Sequence, residues 1–211
     1  MNTEKIEKLK EFKLESGKHE SLDDGGCIME MVSYFADEPW SDRPKCACQI
    51  LTSYSIALND RFTDEHRQRL KDFVPFLINT KASDKIAIKR KQLIMWRNVT
   101  VTYPLILDLF KMKDKADTLR SFSNSNEGIK SAADFLRENK KEIYANAYAD
   151  ANANAYANAD ANANAYAYAD ANAYANAYAD ANAYAYGDAY ALREKIVAVS
   201  LETLRMAIEV S

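Results

Sequence analysis

From residue 144 to residue 190 the chain alternates without a break. Every odd position up to Ala191 is Ala except Gly187, and every even position is Asn, Tyr or Asp. Asp recurs at 150, 160, 170 and 180, each time followed by Asn at 152, 162, 172 and 182, so a ten-residue register is laid over a two-residue one. No ordinary core can come from this segment, because tyrosine is its only large apolar side chain. The chain must therefore find its core elsewhere in its 211 residues and carry the repeat as an appendage.

Two structures compete for the repeat. Strict period two is a strand signature, and a tight β-solenoid of ten-residue coils would place Ala inside and stack Asn, Tyr and Asp in outward ladders. Such a solenoid resembles the midge-type antifreeze coils and implies an ice- or surface-binding role, but those coils rely on Gly and disulfides that this segment lacks. Helix propensity points the other way. Ala is the best helix former, and the whole repeat costs only roughly 0.3 kcal/mol per residue relative to polyalanine, while Ala, Asn and Asp are depleted in strands. Apparent helices run into the repeat at Ile143 and out of it at Leu192, and the Gly187-Asp188 pair reads as a C′ glycine followed by an N-cap. Helix is the expectation. One unbroken helix of this length would span about 70 Å, which favours folding back or self-association. Codons for Asn, Tyr and Asp can differ only in their first base, so a slipping six-base unit would also generate such a segment.

Charge separates the repeat from the rest. Five of the chain's 31 acidic residues and none of its 28 basic ones lie in residues 144–190, leaving a slight positive balance elsewhere. That balance carries no nucleic-acid footprint. Residues 1–17 are rich in Lys and Glu and lack the apolar core of a signal peptide, and no run approaches the ~18 apolar residues of a membrane span. The expectation is a cytoplasmic protein, with no membrane contact. Cys27, Cys46 and Cys48 are an odd number, and the last two are too close for an ordinary bridge, so reduced thiols are expected.

Outside the repeat the periodicity is helical, and the chain reads as mainly α. A solvated helix is expected over residues 3–14, ended by Gly17, and a buried one over 27–35, where apolar residues surround most of the axis. Pro39 and Pro44 bracket a turn holding Trp40, Ser41 and Asp42, and Pro44 suits the first turn of the next helix, which runs to Asn59-Asp60. A further helix begins at Asp64 and should kink at Pro75. Another begins at Ser83 or Asp84 and runs through Tyr103, and Pro104 starts or kinks the stretch after it. Charged and amphipathic helices follow over 113–122 and 129–143. Three parts result: a helical domain at 1–143, the repeat at 144–191, and an amphipathic helix at 192–211 that needs the body as its apolar partner. Trp40, Tyr54, Leu58, Phe73, Leu77, Trp96 and Leu204 are the expected core of one helical domain.

Two stretches carry a resemblance. Gly26-Cys27-Ile28-Met29-Glu30-Met31-Val32-Ser33-Tyr34, and Glu38-Pro39-Trp40-Ser41-Asp42-Arg43-Pro44-Lys45-Cys46-Ala47-Cys48, together resemble a family of uncharacterised phage and bacterial proteins. Ile56-Ala57-Leu58-Asn59-Asp60-Arg61, Phe76-Leu77-Ile78-Asn79-Thr80 and Val101-Thr102-Tyr103-Pro104 are similar to it as well. The resemblance covers about residues 19–122 together with an alanine-rich tail and a closing helix. It implies a genomic neighbourhood and brings no established activity with it. The tails of that family carry Trp, Arg and Asp in less regular order; this repeat has neither Arg nor Trp.

The chemistry-bearing residues are few. His19, Cys27, Cys46 and Cys48 could supply four ligands to a structural zinc, but the one-residue spacing of Cys46 and Cys48 departs from the common two-residue spacing, and packing is the plainer role. Glu30, Glu38 and Asp42 would make an acid–base set only if the fold gathered them. Otherwise Glu30 pairs with Arg43 or caps a neighbouring loop, and Glu30, Trp40 and Asp42 are structural anchors. Neither Ser41-Asp42 with His19 nor the same pair with His66 forms a recognisable nucleophile arrangement, and no phosphate loop or dinucleotide fingerprint is present. The basic run of Lys85, Lys89, Arg90, Lys91 and Arg97 reads as a solvated face rather than a phosphate site. No catalytic residue and no cofactor is expected. The function expected is a non-catalytic interaction or assembly protein, phage- or prophage-associated, that binds a protein partner or itself through the repeat. The alternative is a small enzyme or metal-binding protein built on the Cys27–Cys48 region.

Overall fold

The computed structural model describes residues 3–150 and 187–211, all in helices and their connections, and no strand occurs among the described residues. The mainly α expectation holds. The repeat's two described ends, 144–150 and 187–191, are helical, which leaves no coil of a β-solenoid there. The stretch 151–186, over which helix and solenoid compete, lies outside the described residues. The described part of the last helix opens at Gly187, so Gly187 and Asp188 both lie in helical backbone.

The chain divides into two compact units rather than one helical domain. The first comprises residues 1–91 and 201–211, the second residues 92–200.

In the first unit, α1 (Thr3–Glu11) leads through a long loop to α2 (Ile28–Phe35), followed by α3 (Gln49–Arg61), α4 (Asp64–Gln68), a 3-10 turn (Arg69–Phe73), α5 (Val74–Leu77) and the start of α6 (Asp84–Arg97). Helix α2 is the hub. Ile28, Met29, Met31 and Val32 lose all solvent contact, as the wraparound apolar pattern requires, and α2 packs on both α3 and α5. Helix α1 is shorter than expected and stops at Glu11, well before Gly17. Helix α3 starts at Gln49 rather than just after Pro44. The Glu38 carboxylate accepts the backbone N–H groups of Lys45 and Cys46 at 2.6 and 2.8 Å, holding the segment in a turn. Pro75 breaks the helical run into the 3-10 turn and α5 instead of merely kinking it. Leu204 and Ala207, from the end of the last helix, are fully buried.

In the second unit the end of α6 passes into a π-turn (Asn98–Thr102), then α7 (Tyr103–Leu109), α8 (Lys113–Arg120), α9 (Asn126–Glu138) and α10 (Lys140–Asp150); α11 (Gly187–Glu209) contributes its first part. The π-turn has a local cause. Pro104 has no N–H to offer and its ring crowds the preceding turn, so the chain widens just before it, with the Tyr103 N–H donating to the Asn98 carbonyl five residues back. Val99, Ile106, Leu107, Phe110, Ala116, Leu119, Ala132, Leu192 and Ile196 form the core of this unit. The two tryptophans are only half-buried. Each donates its indole N–H at 3.0 Å to a backbone carbonyl, Trp40 to His19 and Trp96 to Phe122, which keeps the polar edge of the ring at the margin of the core.

Candidate functional site

His19 and Cys27 meet at Glu30, in the third position of α2. Its side chain has no solvent contact, and its carboxylate is used up by three N–H groups. Oε1 accepts the His19 backbone N–H at 2.8 Å. Oε2 accepts the Cys27 N–H at 2.8 Å and lies 3.0 Å from His19 Nδ1, which a carboxylate holds as the protonated ring nitrogen. With Cys27 as N-cap this closes a capping box, so the residue that terminates α2 also ties down the loop in front of it. Glu30 therefore caps a loop; it does not pair with Arg43, which is exposed and uses its backbone N–H on Ser41 Oγ.

The loop is stitched down along its length. Asn59 donates from Nδ2 to the Glu15 carbonyl at 2.8 Å and accepts the Ile28 N–H at 3.1 Å, and Gln68 makes a matched pair of bonds to the Leu14 N–H and carbonyl, both at 2.9 Å. Arg67, itself buried, donates from Nε to the Asn59 carbonyl and from a terminal nitrogen to the Phe62 carbonyl. Gly26 sits in a tight space: a Cβ there would meet the Phe12 ring at 3.0 Å and the Trp40 ring at 3.1 Å, so both rings would have to give way by a few tenths of an ångström. Glu15 Oε2 stands 3.6 Å from His19 Nε2, on the other edge of the same imidazole.

The other sequence candidates lie apart from this cluster or serve the backbone. Cys27 is buried, and loss of solvent together with the nearby Glu30 charge pushes its thiol up to about 12. Cys48 is buried at the head of α3, with its N–H on Thr80 Oγ1 at 3.1 Å. Cys46 is half-buried, its thiol pushed up by burial and by Glu38, and its carbonyl accepts the Lys81 N–H. All three are free thiols. Among the described residues, no group of three or more His, Cys, Asp or Glu side chains is placed to hold a metal ion, so His19, Cys27, Cys46 and Cys48 are not gathered as ligands. Asp42 is half-exposed, and Glu30 and Glu38 are each occupied by different backbone donors rather than paired in one acid–base set.

Sequence reasoning missed Asn59, Arg67, Gln68 and Arg90. Asn59 reads as a helix stop and Arg90 as part of a solvated face. Arg90 is in fact buried and donates to the carbonyls of Thr80 at 2.7 Å, Ile208 at 3.3 Å and Val210 at 3.2 Å, closing the C-terminal end of α11. The signal that could have found it is its place four residues from both Ile86 and Ile94, on one helical face with them. Among the described residues no helix is long and apolar enough to cross a membrane. Comparison with protein-family models, with curated proteins and with solved structures found no match.

Proposed function

We propose that the chain is a non-catalytic interaction or assembly protein, phage- or prophage-associated and acting in the bacterial cytoplasm, in which the helical units carry the Tyr/Asn/Asp repeat as a surface for self-association. The observation that carries this reading is how the buried polar side chains are spent. Glu30, Asn59, Arg67 and Arg90 each hold the chain's own backbone. The repeat is built the other way. Its ten tyrosines are amphipathic contact area, and the one nearest the last core residues, Tyr190, is 55% exposed. The test is sedimentation of the full chain beside a variant lacking residues 145–185. Concentration-dependent mass in the first and its loss in the second are expected. A full chain that stays monomeric at every concentration would refute self-association.

A further inference from the structure

We infer that the exposed face of α6 formed by Lys85, Ile88 and Lys91 receives the Tyr/Asp repeat of a second copy of this chain. This rests on the repeat-mediated self-association proposed above and names the surface on which it acts. Ile88 is 60% exposed in the middle of a helix, and its neighbours three residues either side are exposed lysines. Neither lysine has an ion pair or hydrogen bond among the described residues, whereas Lys89 reaches the Ser211 carbonyl at 3.2 Å and Arg90 is buried at its carbonyls. Among the described residues the face is thus two unpaired ammonium groups around one apolar side chain, with Asp84 at its N-terminal edge.

The repeat is the chemical complement of that face. It holds five carboxylates, ten phenol rings and no cation, so its charge cannot be neutralised within itself, and repeat-to-repeat pairing sets like charges together. Its first tyrosine already shows how such rings take an ammonium group: Lys140 Nζ lies 5.5 Å from the Tyr144 ring centroid on α10. Tyr190 and Ile88 are two of the three exposed large hydrophobics among the described residues, one on the repeat and one between the lysines. A single such contact is weak. Alternating rings and a carboxylate every ten residues offer the face many equivalent registers, and many weak contacts on a tethered segment add through effective concentration.

The experiment uses full-length chains and measures mass against concentration by sedimentation equilibrium. The double variant Lys85→Glu with Lys91→Glu changes only exposed side chains and should associate about tenfold more weakly than the parent, as should the parent at high salt. Ile88→Gln should weaken association with no change in its salt dependence. Adding Asp160→Lys and Asp170→Lys to the double variant should restore association, a rescue that no loss of folding can imitate. If deleting residues 145–185 abolishes association but the α6 variants associate like the parent, the repeats pair with each other and the α6 assignment is wrong while the assembly reading stands. A change of hydrodynamic radius with salt at constant monomer mass would place the repeat on its own copy, overturning the second-copy assignment. A parent that never associates sinks both readings.

Discussion

A carboxylate deprived of water persists in a folded protein only where hydrogen bonds replace its hydration, and the three N–H groups around Glu30 do that. Glu30→Gln keeps the shape but turns an NH2 group toward one of those donors, so it should lower unfolding free energy by about 2 kcal/mol in urea titration. A residue kept for catalysis would leave stability unchanged or raise it on substitution. Cys27, beside it, gives a test with a definite sign. Its thiol has an ordinary value of 9.0 and is pushed up to about 12 in the folded chain, so above about pH 9 the unfolded chain releases a proton that the folded one keeps. Stability contributed by Cys27 is therefore whole below about pH 9 and drains away as pH rises toward about 12. In the native protein at mildly alkaline pH, iodoacetamide should modify half-buried Cys46 first, and Cys27 and Cys48 only after unfolding; early labelling of Cys27 would contradict its burial.

Some helix ends in this chain are closed by local backbone caps, and others by side chains distant in sequence. Helices α2 and α7 end in Schellman geometry without the usual glycine: Asp37 and Lys111 sit at φ 57° and 59°, and the N–H groups of Glu38 and Met112 reach back to the carbonyls of Ser33 and Leu107. An L residue there costs about 1 kcal/mol, so Lys111→Gly should raise stability by about 0.5 kcal/mol once the extra freedom of glycine in the unfolded chain is subtracted. Helix α11 ends differently. Its last carbonyls are held by Arg90, which also binds the Thr80 carbonyl, so one guanidinium joins two backbone segments within the first unit. Arg90→Met keeps the apolar stem and loses three bonds. Thermal or urea unfolding should show a loss of about 2 to 3 kcal/mol, with hydrogen exchange rising first over residues 204–210.

The molecule carries two cores in one chain, each closed by part of α11. Leu192 and Ile196 belong to the core of the second unit, and Leu204 is fully buried in a segment of the first. Leu204→Ala should cost about 3 kcal/mol by chemical denaturation, the loss expected when a fully buried leucine leaves a cavity. A negligible effect would mean that the terminal helix is dispensable to the fold. The repeat predicts a different response. In the helix expected from its composition, each two-residue step would advance 200° and spread Ala, Tyr, Asn and Asp over every side, so no single side chain would define its surface. Exchanging Asp160 for Tyr and Tyr166 for Asp should leave both the circular dichroism and the melting of the units unchanged; a marked loss of order would favour stacked ladders.

Helical periodicity alone was enough to define the mainly α class, the buried face of α2, the start of α4 at Asp64, the amphipathic last helix, and the oddity of residues 144–190, because each depends on neighbours within a turn or two of chain. Leu58, Leu77 and Leu204 were legible as core for the same reason, being apolar at helical spacing. The division into two units, the late start of α3 and the partners of Glu30 and Arg90 were not legible. Each depends on which distant backbone group a charged side chain meets. A glutamate on an apolar helix reads the same in sequence whether it waits for a substrate or holds the His19 and Cys27 N–H groups, and a basic run reads as solvated until packing buries Arg90 against three carbonyls. Desolvation decides between those states, and only tertiary contacts remove the water.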